Sequence, residues 1–261
     1  MTSNSFTPGG LFYVHQGNEK DEPIVLIHGI GADHAMFRLQ VEPLLSHGFR
    51  VVIPDMRGHG KSPRANSLSL NDWVKDLVEL MDHLEIAKCN LLGVSMGGVI
   101  AMEFACQHPA RVRKLIVSDS FGKLGSAFEK TVGWGQAAGF KLFHYLPSSW
   151  AARMVASTYK KFAPDAETYF REVTQQADFR QLVQARRAIN KVAVLTRLGA
   201  LELPSLVMVG DKLKFMVGIN RKIADRLKGS EFHVISGAMD PSNLVAPKEF
   251  NRIVLRFLNK K

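Results

Sequence analysis

Over the first 120 residues, short uninterrupted apolar runs alternate with stretches whose apolar residues recur three and four positions apart. That alternation predicts a mostly parallel sheet with helices on both faces. Ile24-Val25-Leu26-Ile27, Val51-Val52-Ile53, Leu91-Leu92-Gly93-Val94 and Leu115-Ile116-Val117 supply the runs, and a strand buried on both faces needs apolar residues at every position. Leu11-Phe12-Tyr13-Val14 reads as an early strand in an antiparallel edge. Ser69 and Asp72 form a capping pair ahead of Leu70, Trp73, Val74, Leu77, Val78, Met81 and Leu84, an apolar stripe at helical spacing. Across residues 97–108 small apolar side chains (Val99, Ile100, Ala101, Ala105) cover most sides, which predicts a helix buried beneath the ligand-bearing edge of the sheet.

The pattern changes at residues 121–201, where strand runs stop and amphipathic helices mix Phe, Trp, Met and Tyr with Arg and Lys. Leu206-Val207-Met208-Val209 and Phe232-His233-Val234-Ile235 resume the sheet, and a last helix carries Phe250, Ile253, Val254, Phe257 and Leu258. The expected organisation is a core of residues 1–120 and 202–261 interrupted by a helical cap at 121–201. A chain of 261 residues with 46% hydrophobic content suits one such domain.

Charge and cysteine usage narrow the function classes. The formal net charge is +10, yet the basic residues are spread out in short clusters such as Lys160-Lys161, Arg186-Arg187 and Lys260-Lys261. Without a basic stripe interleaved with aromatics, this reads as a solvated surface and not as a nucleic-acid site. No run approaches the roughly 20 apolar residues of a membrane span, and the first residues lack a basic-then-apolar leader, so a cytoplasmic protein is expected. Cys89 and Cys106 fall in a strand and a helix, as buried free thiols of a reducing compartment do.

The chemistry centres on Gly93-Val94-Ser95-Met96-Gly97. It follows an apolar strand and opens a small-residue helix, the setting of a nucleophile elbow. Its glycines allow the tight turn that lifts the Ser95 hydroxyl to the sheet edge. The Met96 N–H, at the helix start, points into the same space, where the helix dipole favours a developing oxyanion. His28-Gly29-Ile30-Gly31, after the first apolar strand, is placed to supply a second donor, the Ile30 N–H.

From about residue 10 to the C-terminus the chain resembles the α/β-hydrolase superfamily, especially its small lidded esterases, lactonases and C–C hydrolases. His28-Gly29, Arg57-Gly58-His59-Gly60-Lys61-Ser62 and Gly93-Val94-Ser95-Met96-Gly97-Gly98 occur in family order. The resemblance implies an α/β-hydrolase fold with a mostly parallel sheet, helices on both faces and a helical cap. It also implies a serine nucleophile served by a histidine and an acid. Here the chain departs from it. The family's Gly-Asp-x-Asp becomes Gly210-Asp211-Lys212-Leu213, and Met239-Asp240 stands where Gly-His belongs, within the kept frame of residues 237–247.

Both losses fall on one functional pair, since an acid that orients a histidine has no role once the histidine is gone. Serine is a weak nucleophile without a base, and removing the histidine of a model protease costs about 10⁶ in turnover. Three arrangements stay open: Asp240 acts as the base, with its carboxylate pKa raised by burial; His34 or His144 folds into the site; or the pocket binds without turnover. The leading expectation is a hydrolase of a small apolar ester or related acyl bond, with Ser95 as nucleophile, Asp240 as candidate base, and Ile30 and Met96 as oxyanion donors. The alternative is a degenerate hydrolase-fold binder or regulator; a lyase or isomerase reusing the pocket is a third. No cofactor or metal site is expected, the partner is a small and apolar molecule, and oligomeric state is open.

Other residues carry plainer expectations. Asp55 and Asp119, at strand ends, read as turn-capping acids; His59 reads as a turn residue and His233 as a packed or surface strand residue. Trp134, Phe140, Phe143, Tyr145 and Trp150 divide between lining a pocket and packing the cap.

Overall fold

The structure is a computed structural model that describes residues 2–260. Its strands are β1 (Thr2–Phe6), β2 (Phe12–Gln16), β3 (Glu22–Ile27), β4 (Phe49–Pro54), β5 (Cys89–Val94), β6 (Val112–Ser118), β7 (Ser205–Gly210) and β8 (Glu231–Ile235). They form one sheet in the order β1-β2-β4-β3-β5-β6-β7-β8. Pairing is antiparallel among β1, β2 and β4 and parallel from β4 through β8.

β2 lies in an antiparallel edge, as expected, and β1, which the sequence pattern did not mark, pairs outside it, with Thr2 opposite Gln16 and Phe6 opposite Phe12. Thr2-Ser3-Asn4-Ser5 has no apolar alternation, because an edge strand can be held by main-chain pairing alone and gains from polar side chains.

Strand alternation sorts side chains between two cores. Val25, Ile27, Leu91, Val117 and Val207 face one; Ile24, Leu26, Leu92, Ile116 and Leu206 face the other. α1 (Arg38–Leu45) covers the second face, α2 (Leu70–His83) and α3 (Met96–Gln107) the first. α2 starts at the expected capping box: Ser69 Oγ accepts from Asp72 N–H (3.3 Å) while Asp72 Oδ2 accepts from Ser69 N–H (2.9 Å). α3 is buried from Met96 to Ala105.

Between β6 and β7 the chain runs through α4 (Ala127–Phe143), α5 (Ser148–Ser157), α6 (Pro164–Gln176), α7 (Phe179–Ile189) and the short α8 (Leu195–Leu198). α4 packs on α7 and α5 on α6. Side-chain bonds tie these helices to the core loops above the sheet. Tyr169 Oη accepts from Asp33 N–H (2.9 Å) and donates to Asp33 Oδ1 (3.0 Å). Gln181 exchanges bonds with the Ala65 backbone at 2.9 and 3.0 Å. The core is completed by α9 (Lys214–Ala224), α10 (Ser242–Val245) and α11 (Pro247–Leu258), the last burying Phe250, Ile253, Val254, Phe257 and Leu258. Among the described residues no helix is long and apolar enough to cross a membrane.

Candidate active site

β5 runs straight into Ser95 and α3 begins one residue later, so the serine sits in the sharp turn between them. Its backbone has φ 56° and ψ −116°, a region that costs a non-glycine residue about 1–3 kcal/mol. Neighbouring contacts hold it there: Ser95 N–H donates to Ser118 O (2.8 Å), and Ser120 Oγ donates to Ser95 O (2.8 Å). The flanking glycines are required by close approach. A Cβ on Gly93 would lie 2.1 Å from Gly97 O, and one on Gly97 would lie 2.0 Å from Ile27 O.

The Ser95 hydroxyl donates to Asp240 Oδ2 at 2.9 Å. Asp240 reaches this position through a loop fixed at several points. Past β8, Gly237 takes φ 72° and its N–H donates to Asp211 Oδ1 (2.7 Å). Lys212 N–H donates to Ala238 O (3.0 Å). On the far side of Asp240, Ser242 donates to Asp119 through its N–H (2.9 Å) and its hydroxyl (2.8 Å). Tyr159, after α5, donates to Asp240 O at 3.1 Å.

Asp119 therefore does more than cap a turn. Its buried carboxylate accepts from Gly210 N–H (2.9 Å) and Ser118 Oγ (2.9 Å) as well as from Ser242, which joins the ends of β6 and β7 to the Asp240 loop. Its place just after a core strand was visible in the sequence; its bonds, made to residues 91 and 123 positions away, were not. Asp211 is structural, holding the Gly237 N–H at the start of this loop. Leu213, in the acid's place, lines the cavity at Ser95.

Burial raises the Asp240 carboxyl from the ordinary range to about 7; the nearby Asp119 charge adds to this, while the Ser95 hydrogen bond and the Arg186 charge oppose it. A base with such a pKa exists half as carboxylate near neutral pH, the range in which general-base catalysis is most effective.

The histidines sit elsewhere. His34 Nδ1 lies 2.8 Å from Asp55 Oδ1, and Asp55 also accepts from Lys61 N–H (2.8 Å), the turn-holding role expected of that acid. His144 Nε2 accepts from Arg180 Nε at 3.1 Å on the exposed side of the helices. His28 Nε2 accepts from Met56 N–H (2.9 Å), and His59 is so buried that its pKa falls to about 3. His233 bonds Arg256 at the surface. None of the residues lining the cavity beside Ser95 is a histidine, so neither His34 nor His144 takes the base position left open by the sequence. His34 is held away by its carboxylate partner, and His144 by its arginine.

Two lobes of about 140 and 240 Å³ meet at Ile30, Ser95, Gln136 and Asp240. The larger is apolar, with Met36, Phe140, Val155, Phe170 and Phe179 in its wall. The smaller holds Phe121, Leu213 and Met216 together with Arg186. Of the aromatics singled out in the sequence, Phe140 lines the larger lobe and Phe143 packs edge-on against Phe179 (5.6 Å). Trp134, Tyr145 and Trp150 face outward and line neither lobe. Arg186, expected with Arg187 on a solvated basic surface, is instead buried and lines the smaller lobe, because the packing of α7 on α4 turns it inward. The loop carrying Ile30 runs beside the serine, since a Cβ on Gly29 would lie 3.4 Å from Ser95 Cβ. Met96 N–H is a first-turn amide of α3, left without a partner inside the helix.

A largely parallel α/β sheet with a strained serine between its central strand and a buried helix defines a class: the α/β-fold hydrolases. The chain belongs to the alpha/beta hydrolase fold family, whose profile matches residues 22–247. It is 28% identical over 251 residues to 3-oxoadipate enol-lactonase 1 of Acinetobacter baylyi, covering 93% of this chain and 90% of that one. It is 27% identical over 254 residues to the 2-hydroxy-6-oxononadienedioate/2-hydroxy-6-oxononatrienedioate hydrolase of Cupriavidus pinatubonensis, covering 91% and 86%. Among solved structures, the enol-lactonase from Burkholderia xenovorans superimposes with a TM-score of 0.87 at 25% identity, over 99% of this chain and 100% of that one. These relatives are hydrolases, and the fold and family are theirs.

Proposed function

We propose that the protein hydrolyses an ester or related acyl bond through a serine–aspartate pair, Ser95 as nucleophile and Asp240 as general base. The observation that carries this reading is the 2.9 Å hydrogen bond from Ser95 Oγ to Asp240 Oδ2, made at the position where the family's histidine stands. A ligand-binding protein has no need of a strained serine aimed at a carboxylate of pKa about 7.

The cycle follows from that geometry. Ser95 Oγ attacks the substrate carbonyl carbon as its proton passes to Asp240 Oδ2. Ile30 and Met96 N–H groups stabilise the oxyanion. Collapse expels the leaving-group oxygen, which takes the proton back from Asp240 and departs as the alcohol. Water then attacks the acyl-serine, again giving its proton to Asp240, and collapse returns that proton to Ser95 as the acid leaves. Helices α4 to α7 serve as the cap over this site, and the larger lobe accepts an apolar portion of the substrate. With no imidazole to move between the two partners, turnover of ordinary esters is slow.

Trapping the intermediate tests the proposal. Mass spectrometry after quenching with p-nitrophenyl acetate should find one acetyl group on the Ser95 peptide, absent in Ser95→Ala. Turnover that persists in Ser95→Ala would place the chemistry elsewhere.

A further inference from the structure

The outward face of α4 is apolar along its length. Phe128, Trp134 and Leu142 stand on it, each 50–60% exposed, with Thr131, Gly135 and Ala138 between them. Trp150 and Met154 on α5 are exposed to the same degree, and Phe162 follows just beyond that helix. Two contacts join this patch to the cavity at Ser95. Phe128 packs edge-on against Phe215, with ring centres 5.5 Å apart, and Lys212 Nζ lies 5.2 Å from the centre of the Phe162 ring. Leu213 and Phe215, themselves exposed, line the smaller lobe.

The charge around the patch has one sign. Residues 130–164 contain no aspartate or glutamate. Lys130, Lys141, Arg153, Lys160 and Lys161 are exposed, and among the described residues none of them forms an ion pair. Glu129, the acid just before this stretch, is buried and paired with Lys222.

A contiguous exposed apolar patch marks a contact surface. Pairing with a second copy would set the same lysines face to face, since a two-fold interface meets itself. The matching partner is anionic and accepts apolar side chains to a shallow depth. A bilayer containing anionic phospholipids has both properties: tryptophan settles at its headgroup level, and lysines extend their charges to the phosphates.

We propose that the outer face of α4 and α5 docks on an anionic membrane surface. Phe128, Trp134, Leu142 and Trp150 enter the headgroup layer, and the surrounding lysines sit at its phosphates. In this pose the edge of the Ser95 cavity lies at the lipid surface. The inference is independent of the hydrolase reading, because docking uses neither Ser95 nor Asp240.

Co-sedimentation and tryptophan emission test it, using vesicles of phosphatidylcholine alone and of equal parts phosphatidylcholine and phosphatidylserine. Trp73 is fully buried, so a change in emission reports Trp134 and Trp150. The mixed vesicles should shift the emission to the blue and bind at least tenfold more tightly, and added salt should weaken that binding. Trp134→Ala with Trp150→Ala should lower the affinity at least tenfold, and Lys160→Gln with Lys161→Gln should cut the preference for anionic vesicles several-fold. Lys20→Gln with Lys88→Gln, placed before β3 and β5 at the far end of the sheet from Ser95, should leave binding within about twofold. Should the double alanine variant fail to fold in a thermal melt, Leu142→Asp decides. Its carboxylate would face the phosphates, and an unchanged affinity would count against this face. Equal binding to both vesicles, or equal losses in the Lys20 and Lys88 variant, would overturn the proposal. Binding to neither vesicle would also overturn it, leaving the face to an acidic protein. A dimer in sedimentation velocity that Trp134→Ala disperses would give the face to a second copy and contradict membrane docking.

Discussion

On the proposed mechanism, Asp240 in place of an imidazole changes what pH should do to activity. The proposed base works when deprotonated, and burial places its pKa at about 7. The kcat/KM for p-nitrophenyl acetate should therefore climb with pH below that value, about tenfold per unit, and level off above it. Asp240→Asn should flatten this limb and lower the rate by about 10²–10⁴, the usual contribution of a positioned base. A profile already flat between pH 5 and 8 in the unmodified protein would assign the base to another group. Restoring the family residues gives a second expectation. Leu213 lines the lobe that also contains Asp240 and Ser95, so Asp240→His combined with Leu213→Asp should raise turnover of the same ester, measured by nitrophenolate release. At this scale the sequence disclosed the residues that sit in motif frames. Ser95 is marked by its glycines and Asp240 by the frame around it, whereas the burial of Arg186 depends on how α7 packs against α4, which the Arg186-Arg187 pair does not disclose.

The elbow and the Asp240 loop are elements whose geometry is set by what packs behind them. Gly97→Ala would put a methyl group 2.0 Å from Ile27 O, and backbone cannot yield as a flexible side chain can. A loss of about 1–3 kcal/mol or more is expected, read as a lower urea midpoint. Asp119→Asn acts differently. The amide keeps the shape but turns one of the two oxygens into a donor, so either the Gly210 N–H or the Ser242 N–H, which donate to different oxygens, loses its acceptor; the Asp240 loop loosens and kcat falls. Removing the Asp119 charge also removes one cause of the raised Asp240 pKa, so the pH profile should shift to lower pH. A reduced rate with an unmoved profile would mean that Asp119 is only structural. Elements with strong periodicity or caps, such as α2 and its Ser69–Asp72 box, could be read from the chain directly. The edge strand β1 could not, since its order comes from main-chain pairing with β2.

For the molecule as a whole, the buried acid links activity to stability. In the folded protein Asp240 holds its proton up to about pH 7, whereas the unfolded chain releases it near the ordinary carboxylate value of about 4. Between these values the folded state binds more protons, so the stability contributed by the neutral carboxyl is lost as pH rises. Asp240→Asn, uncharged throughout, should melt at an increasingly higher temperature than the unmodified protein as pH goes from 5 to 8. A constant difference would mean that the carboxyl is not forced to ionise against its surroundings. The segment between β6 and β7 adds a further link: Tyr159 holds the Asp240 carbonyl and Tyr169 holds Asp33 beside the Ile30 loop, so it touches both loops that the proposed chemistry needs. The central claim, that a carboxylate activates Ser95, is tested most directly by the rate of fluorophosphonate labelling of Ser95 across pH. The account predicts labelling that rises through about pH 7 and is at least a hundredfold slower in Asp240→Asn; equal labelling of both proteins would contradict it.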